Sequence, residues 1–149
     1  MRLVLQRVMR ASVTVDGTVV GTIGPGLMIL VGVGHDDSVA IAKTLADKTC
    51  DLRMFRDDAG LTNRSLMDID GEVLAISQFT LYADTRKGRR PSFLGAAPPG
   101  LGKELYEAFM AALELRGVRV ARGIFGAVMA VELVNDGPMT LWLDSAATV

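Results

Sequence analysis

Apolar and polar residues alternate at the start of the chain. Leu3, Leu5 and Val8 interleave with Gln6 and Arg7, and Val13 and Val15 continue the pattern. A period of two predicts strands. Asp16-Gly17 then separates Val13–Val15 from Thr18-Val19-Val20, a pairing that predicts a tight hairpin. Gly24-Pro25-Gly26 marks a second turn. The run from Leu27 to Val33 is continuously apolar, as a strand covered on both faces should be.

The period then changes. Ile41, Leu45, Thr49 and Leu52 recur at helical spacing after the N-cap candidates Asp36, Asp37 and Ser38. Asp57-Asp58-Ala59-Gly60 predicts a loop. Strand character returns from Glu72 to Phe79. Asp84 to Gly100 is a long irregular segment rich in Gly, Pro and Arg, of the kind that often carries function. A second helix is predicted over Lys103–Leu115, with Leu105, Ala108, Phe109, Ala112 and Leu113 as its apolar stripe and Gly117 as its C-cap. Strands follow near Val118–Ala121 and Val128–Val134, then a turn at Asn135-Asp136-Gly137-Pro138 and a last strand, Met139–Leu143. The pattern has no repeat and no linker. It predicts one α/β domain, residues 1–149, mixed, with more strand than helix.

Composition narrows the chemistry. The 149 residues suit a single domain, and half of them are hydrophobic, which argues against disorder. Only 5% are aromatic, so Val, Leu, Ile, Ala and Met must build the core, and the eight methionines are most simply its filler. A net charge of -1 gives no global attraction to nucleic acid, so any RNA contact must come from local basic patches. Cys50 is the one cysteine and cannot form an intramolecular disulfide, which fits a reducing compartment. The N-terminus lacks the apolar core of a signal peptide, and the apolar stretch at Gly26–Val33 is too short to span a bilayer. A cytoplasmic protein without membrane contact is expected.

One Cys and one His are too few for a zinc site, so no metal and no cofactor are expected. Phosphate-binding loops of the Gly-x-x-x-x-Gly-Lys type, Gly-x-Gly-x-x-Gly and Gly-x-Ser-x-Gly are all missing. A Ser-His-Asp triad would need His35, which sits beside Asp36 and Asp37 and reads as a solvated loop residue. Cys50 falls within a helical pattern and reads as a small buried hydrophobe.

Three segments remain. Ser77-Gln78-Phe79-Thr80-Leu81 ends a strand with hydroxyl and amide groups, which suits either a ligand-facing edge or an ordinary half-buried strand. Asn135-Asp136-Gly137-Pro138-Met139-Thr140 reads as a tight turn, or as a rigid backbone gate if its Gly-Pro bond is cis. Arg86-Lys87-Gly88-Arg89-Arg90 is a basic loop able to grip phosphates or simply solvated. Arg116, Arg119 and Arg122 add positive charge elsewhere.

Together these segments resemble the D-aminoacyl-tRNA deacylase family. Gln6-Arg7-Val8 with Ala11-Ser12-Val13 looks like its N-terminus. Ser77-Gln78-Phe79-Thr80-Leu81, Arg90-Pro91-Ser92-Phe93 and Asn135-Asp136-Gly137-Pro138 with Thr140 match its motifs in order, over nearly the whole chain. The resemblance implies a D-tyrosyl-tRNA deacylase-like fold: predominantly antiparallel, barrel-like sheet with two helices. It implies a homodimer that hydrolyses D-aminoacyl-tRNA, and glycyl-tRNA as well, with active sites at the subunit interface. Ser77, Gln78, Phe79 and Thr80 would line the catalytic pocket for the terminal adenosine and the ester. Gly137 and Pro138, inserted from the partner with a cis bond, would form a chirality gate oriented by Arg7. Phe125 and Met129 would pack nearby. Arg86, Lys87, Arg89 and Arg90 remain the candidates for tRNA phosphates. The resemblance implies backbone N–H donors near Phe79 and assistance from the ribose 2′-hydroxyl; Thr80 as nucleophile is the other route, weakened by the lack of a visible base. The chain departs from the family pattern at Val128, where an acidic residue is usual, at Met139, where valine is usual, and over Leu61–Leu66. A non-catalytic nucleic-acid-binding homodimer is the rival reading; it needs the basic loop and not the gate.

Overall fold

The computed structural model describes residues 1–148. Eight strands and three helices follow in the order β1 (Arg2–Val15), β2 (Thr18–Ile23), β3 (Gly26–Gly32), α1 (Val39–Asp51), β4 (Phe55–Arg56), β5 (Thr62–Arg64), β6 (Glu72–Ser77), α2 (Pro99–Leu115), β7 (Val120–Arg122), β8 (Ala130–Asp144) and α3 (Ser145–Thr148). Short 3-10 turns occupy Met67–Ile69 and Phe79–Tyr82.

β1 is the spine. One of its edges pairs along its length with β8; the other pairs with β3 over Arg2–Val8 and with β2 over Ala11–Val15, all antiparallel. β3 pairs with β6, and β6 with β7, in parallel. A parallel pair needs a long crossover. Here α1 and the β4–β5 hairpin lie between β3 and β6 in the chain, and α2 between β6 and β7. The crossovers pack α1 and α2 against one face of the sheet. Leu3, Leu5, Leu27, Ile29, Leu45 and Phe109 are among the fully buried side chains of that core. The other face carries a smaller cluster, including Val8, Val13, Met28, Leu74 and Ile76. The continuous apolar run of β3 follows from this, because it supplies both clusters.

The sheet curls until its ends meet. A methyl group on Gly21 of β2 would lie 3.0 Å from the Arg122 carbonyl of β7. Glycine lets the two backbones approach and nearly close a barrel. The Asp16-Gly17 hairpin has both residues at positive φ, 47° and 77°, as its two-residue turn requires.

Several predicted boundaries move. The strand predicted to Phe79 stops at Ser77, and the chain turns at Phe79–Tyr82. The second helix begins at Pro99, four residues before its predicted start, because proline at the first helical position loses no hydrogen bond. The predicted turn at Asn135–Pro138 is a bulge inside one strand: Val8 pairs with Asn135 and Gln6 with Thr140, so both flanks of the segment stay on β1. The strand predicted from Val128 begins at Ala130, and the one predicted over Val118–Ala121 covers Val120–Arg122. The β4–β5 hairpin, α3 and the parallel pairings lie outside the predicted pattern. No described helix is long and apolar enough to cross a membrane.

Tyr106 of α2 donates from its hydroxyl to the Ala75 carbonyl of β6 at 2.8 Å. Burial pushes its phenol from 10.0 up to about 12. The folded state therefore holds the proton longer than the unfolded chain, so this contribution is complete below pH 10 and is lost as pH rises toward 12. Tyr106→Phe is expected to lower stability at neutral pH by about 1 kcal/mol and to flatten the loss on the alkaline side. Denaturant titrations at neutral and alkaline pH check both.

Candidate active site

A cavity of about 630 Å³ opens where β6 ends. Its floor is Ile76, Ser77, Gln78 and Phe79. The Gln78 N–H donates to the Val31 carbonyl at 2.7 Å, continuing the β3–β6 ladder by one rung. The chain then leaves the sheet in the 3-10 turn, where Leu81 N–H donates to the Gln78 carbonyl at 3.2 Å. The N–H groups of Phe79 and Thr80 open that turn, where a helix has no acceptors of its own for them.

One wall comes from the segment before α2. Phe93 meets Phe79 edge-on, with centroids 5.1 Å apart. Ala96 and Ala97 follow it; Ala96 bridges to Gly34, and the Ala97 N–H donates to the Val33 carbonyl at 2.9 Å. The opposite wall is Phe125 and Met129, with Phe125 resting against Tyr106. Ser77, Gln78, Phe79, Phe125 and Met129 therefore share one cavity, whereas Thr80 does not line it and touches it only through its hydrogen bond to Gln78. Phe93, Ala96, Ala97 and Pro99 were not among the individual site residues named from sequence. Only Phe93 lay in a matched motif; the Ala-Ala-Pro-Pro stretch carries no chemical group that would single it out.

Among the described residues, no ionisable side chain lines the cavity. The Thr80 hydroxyl accepts a hydrogen bond from the Gln78 amide, which is no base. His35 is exposed in a different depression, with Nε2 at 2.8 Å from the Leu94 carbonyl. Cys50 is buried, and burial raises its thiol above the ordinary value. Among the described residues, no three His, Cys, Asp or Glu side chains gather as a metal site would require. Chemistry here falls to backbone dipoles and to whatever the ligand brings.

The β8 bulge is built differently. Asp136, Gly137, Pro138 and Met139 lie opposite the single residue Arg7. Arg7 points to the same face as Leu3 and Leu5 and is only 2% exposed. Its Nε donates to the Asp136 carbonyl at 3.0 Å and pairs with the Asp136 carboxylate at 2.9 Å, while Nη1 donates to the Met54 carbonyl. The Asn135 amide donates to the Arg7 carbonyl at 3.0 Å. The Gly137–Pro138 peptide is cis. Both residues are exposed, and neither they nor Arg7 lines the 630 Å³ cavity of their own chain.

The basic loop is pinned at its neck. Asp84 and Ser92 exchange two backbone hydrogen bonds, at 2.7 and 2.9 Å. Arg86 grips the Asp84 carboxylate from Nε and Nη2, which holds that carboxyl well below the usual range. Lys87, Arg89 and Arg90 are exposed beyond it. Phe93, directly after Ser92, joins this loop to the cavity wall. Arg116 pairs with Asp47 and Asp51, Arg119 with Glu72, and Arg122 with Glu114. These three cations are matched by acids and add no separate basic patch.

The family described as D-Tyr-tRNA(Tyr) deacylase matches residues 4–144. The chain belongs to this family. It is 62% identical over 146 residues to a D-aminoacyl-tRNA deacylase of Roseiflexus castenholzii, covering 98% of this chain and 93% of that one. It is 60% identical over 144 residues to one from Deinococcus radiodurans, covering 97% and 99%. Among solved structures, c-Myc DNA Unwinding Element Binding Protein superposes with a TM-score of 0.89 at 38% identity, covering 97% of this chain and 98% of that one. A probable eukaryotic D-amino acid tRNA deacylase shares the fold, with a TM-score of 0.81 at 19% identity, covering 95% and 97%. Two of the departures from the deacylase family pattern fall outside the cavity. Val128 is 92% exposed, and Met139 packs on the main core.

Phe93 is 37% exposed, so its ring contributes more to the cavity than to the core. Phe93→Ala is expected to weaken binding of an adenosine-bearing ligand about tenfold, the loss of one aromatic–base contact. Its melting temperature should stay close to that of the parent. Calorimetric titration with a non-hydrolysable 3′-aminoacyl adenosine, together with a thermal scan, checks both.

Proposed function

We propose that the protein hydrolyses the ester of D-aminoacyl-tRNA to free tRNA and a D-amino acid, and that glycyl-tRNA is a second substrate. The observation that carries this reading is the full-length family match joined to a cavity built from Ser77, Gln78 and Phe79 with no ionisable lining. Such a cavity suits a substrate that supplies its own polar group.

In this reading the terminal adenosine lies between Phe79 and Phe93, and the ester carbonyl points at the N–H groups of Phe79 and Thr80. Water adds to the carbonyl carbon, the acyl C–O bond breaks, and the proton returns to the ribose oxygen. The neighbouring 2′-hydroxyl relays that proton. The two N–H donors stabilise the oxyanion, a contribution worth about 10²–10³ in rate for one such donor. Thr80 serves through its backbone, since its hydroxyl has no base to activate it.

Selectivity comes from a partner subunit. The Gly137–Pro138 corner is exposed and stands outside the cavity of its own chain, which supports a homodimer in which each corner closes the other's cavity. Its carbonyls accept from the substrate's α-amino group, and its backbone fills the space an L side chain would need. Glycine has no side chain to reject. Lys87, Arg89 and Arg90 contact acceptor-stem phosphates, with Arg86 bracing the loop. A cytoplasmic location follows from the substrate.

The structural likeness to c-Myc DNA Unwinding Element Binding Protein favours a second reading, a homodimer that binds nucleic acid without catalysis. It would use the basic loop and leave the corner idle.

Matched D- and L-tyrosyl-tRNA, incubated with the purified protein and no added metal, separate the readings. Release from the D ester and not the L ester is expected, with glycyl-tRNA also cleaved. No release from any of the three would favour binding alone. Gly137→Ala sharpens the test. The new methyl would meet only the Asn135 amide, 4.0 Å away, so the fold should tolerate it. In the gate reading the methyl instead enters the space of the substrate, and displacing the ester by about 1 Å should cost on the order of 10²-fold in rate.

A further inference from the structure

The corner has a second arginine that no sequence motif signals. Arg56 ends β4, the short strand that follows the buried Met54. Its Nη2 donates to the Gly137 carbonyl at 3.2 Å. Two residues earlier, the Met54 carbonyl accepts from Arg7. The segment entering the β4–β5 hairpin thus reaches the bulge twice, indirectly where the Met54 carbonyl holds Arg7 and directly through the Arg56 side chain.

We propose that Arg56 is a positioning residue for the Gly137–Pro138 corner, fixing the direction of the Gly137 carbonyl. The inference rests on the gate reading above. Arg7 anchors the preceding residue, through the carbonyl and carboxylate of Asp136, and among the described residues its side-chain hydrogen bonds go to Asp136 and Met54. Glycine offers no side chain to lock its own peptide, and the nearest group to a methyl placed there is 4.0 Å away. Among the described residues, the side-chain donor to that carbonyl is Arg56. A carbonyl that must accept from a substrate's α-amino group needs a fixed direction before the substrate arrives. The guanidinium supplies it while leaving the second lone pair of the oxygen free. Its anchorage is local: Phe55 is buried and pairs with Arg64 across the hairpin.

The same side chain has further N–H donors, so a direct phosphate contact is the competing role. Kinetics tell the two apart. Arg56→Ala and Arg56→Lys are compared with Gly137→Ala in hydrolysis of D-tyrosyl-tRNA, with kcat and KM measured at two salt concentrations and melting temperatures recorded. Arg56→Ala should lower kcat roughly tenfold to a hundredfold while KM and its salt dependence hold, the size of one charge-assisted hydrogen bond. Arg56→Lys, which keeps a donor, should recover part of the loss. Both should melt with the parent. A raised KM with a shallower salt dependence and unchanged kcat would overturn the proposal in favour of phosphate binding. Unchanged kcat and KM in Arg56→Ala, with Gly137→Ala impaired, would leave the gate standing and Arg56 idle. If Gly137→Ala also keeps full rate and selectivity, the gate reading itself fails, and the role of Arg56 with it.

Discussion

A buried guanidinium organises the bulge of β8 and the strands around it. Arg7 lies in the line of Leu3 and Leu5, where the alternation of β1 calls for another apolar side chain. A charge there is costly unless its donors are used. They are used on Asp136 and on the Met54 carbonyl, so β1, β8 and the irregular segment leading into β4 are tied at one point. The bulge follows from this. β8 cannot run flat past Arg7 and still bring both the carbonyl and the carboxylate of Asp136 to one guanidinium. No buried side-chain nitrogen or oxygen among the described residues is left without a partner.

The cavity is the complement of that polar knot. It holds no ionisable side chain, and its floor ends in a turn that presents backbone N–H groups. Fixed dipoles in such a setting act strongly on a developing oxyanion and need no reorganisation when the reaction occurs. A side-chain base in the same place would lower the barrier for any ester that entered. In the proposed reading, a site that relies on the substrate's own hydroxyl is restricted to ribose esters, and the Gly137–Pro138 corner makes the chiral choice by shape.

Much of this was legible in the residues. The Asp16-Gly17 turn, the doubly covered Leu27–Val33 run and the Ser38 cap of α1 are local signals that tertiary structure did not override. The Ser77–Thr80 segment was legible as a strand's end carrying polar groups, but the residues alone left an ordinary half-buried strand equally open, and the structure places Ser77, Gln78 and Phe79 at the cavity. The bulge was not. Asn135-Asp136-Gly137-Pro138 has the composition of a turn, and only the pairing of both its flanks to β1 distinguishes the two. The parallel β3–β6 and β6–β7 contacts are set by crossovers, which periodicity does not register. Pro99 concealed the start of α2 because proline reads as a stop. Arg56 was hidden for a related reason: it precedes Asp57-Asp58-Ala59-Gly60, and a two-residue strand leaves no period to detect. Phe93 was matched as part of a motif, but its contact with Phe79 arises from a loop folding back.

In the proposed homodimer a working site takes its cavity from one chain and its corner from the other. Subunit complementation tests it most directly. One variant carries a disabled corner, the other a cavity filled at Ser77, and each is inactive alone. Refolded together in equal amounts, they should form mixed dimers with one intact site, restoring about a quarter of the parent activity on D-tyrosyl-tRNA. Mixtures that stay as inactive as their components, although mixed dimers have formed, would contradict the account and place corner and cavity in the same chain.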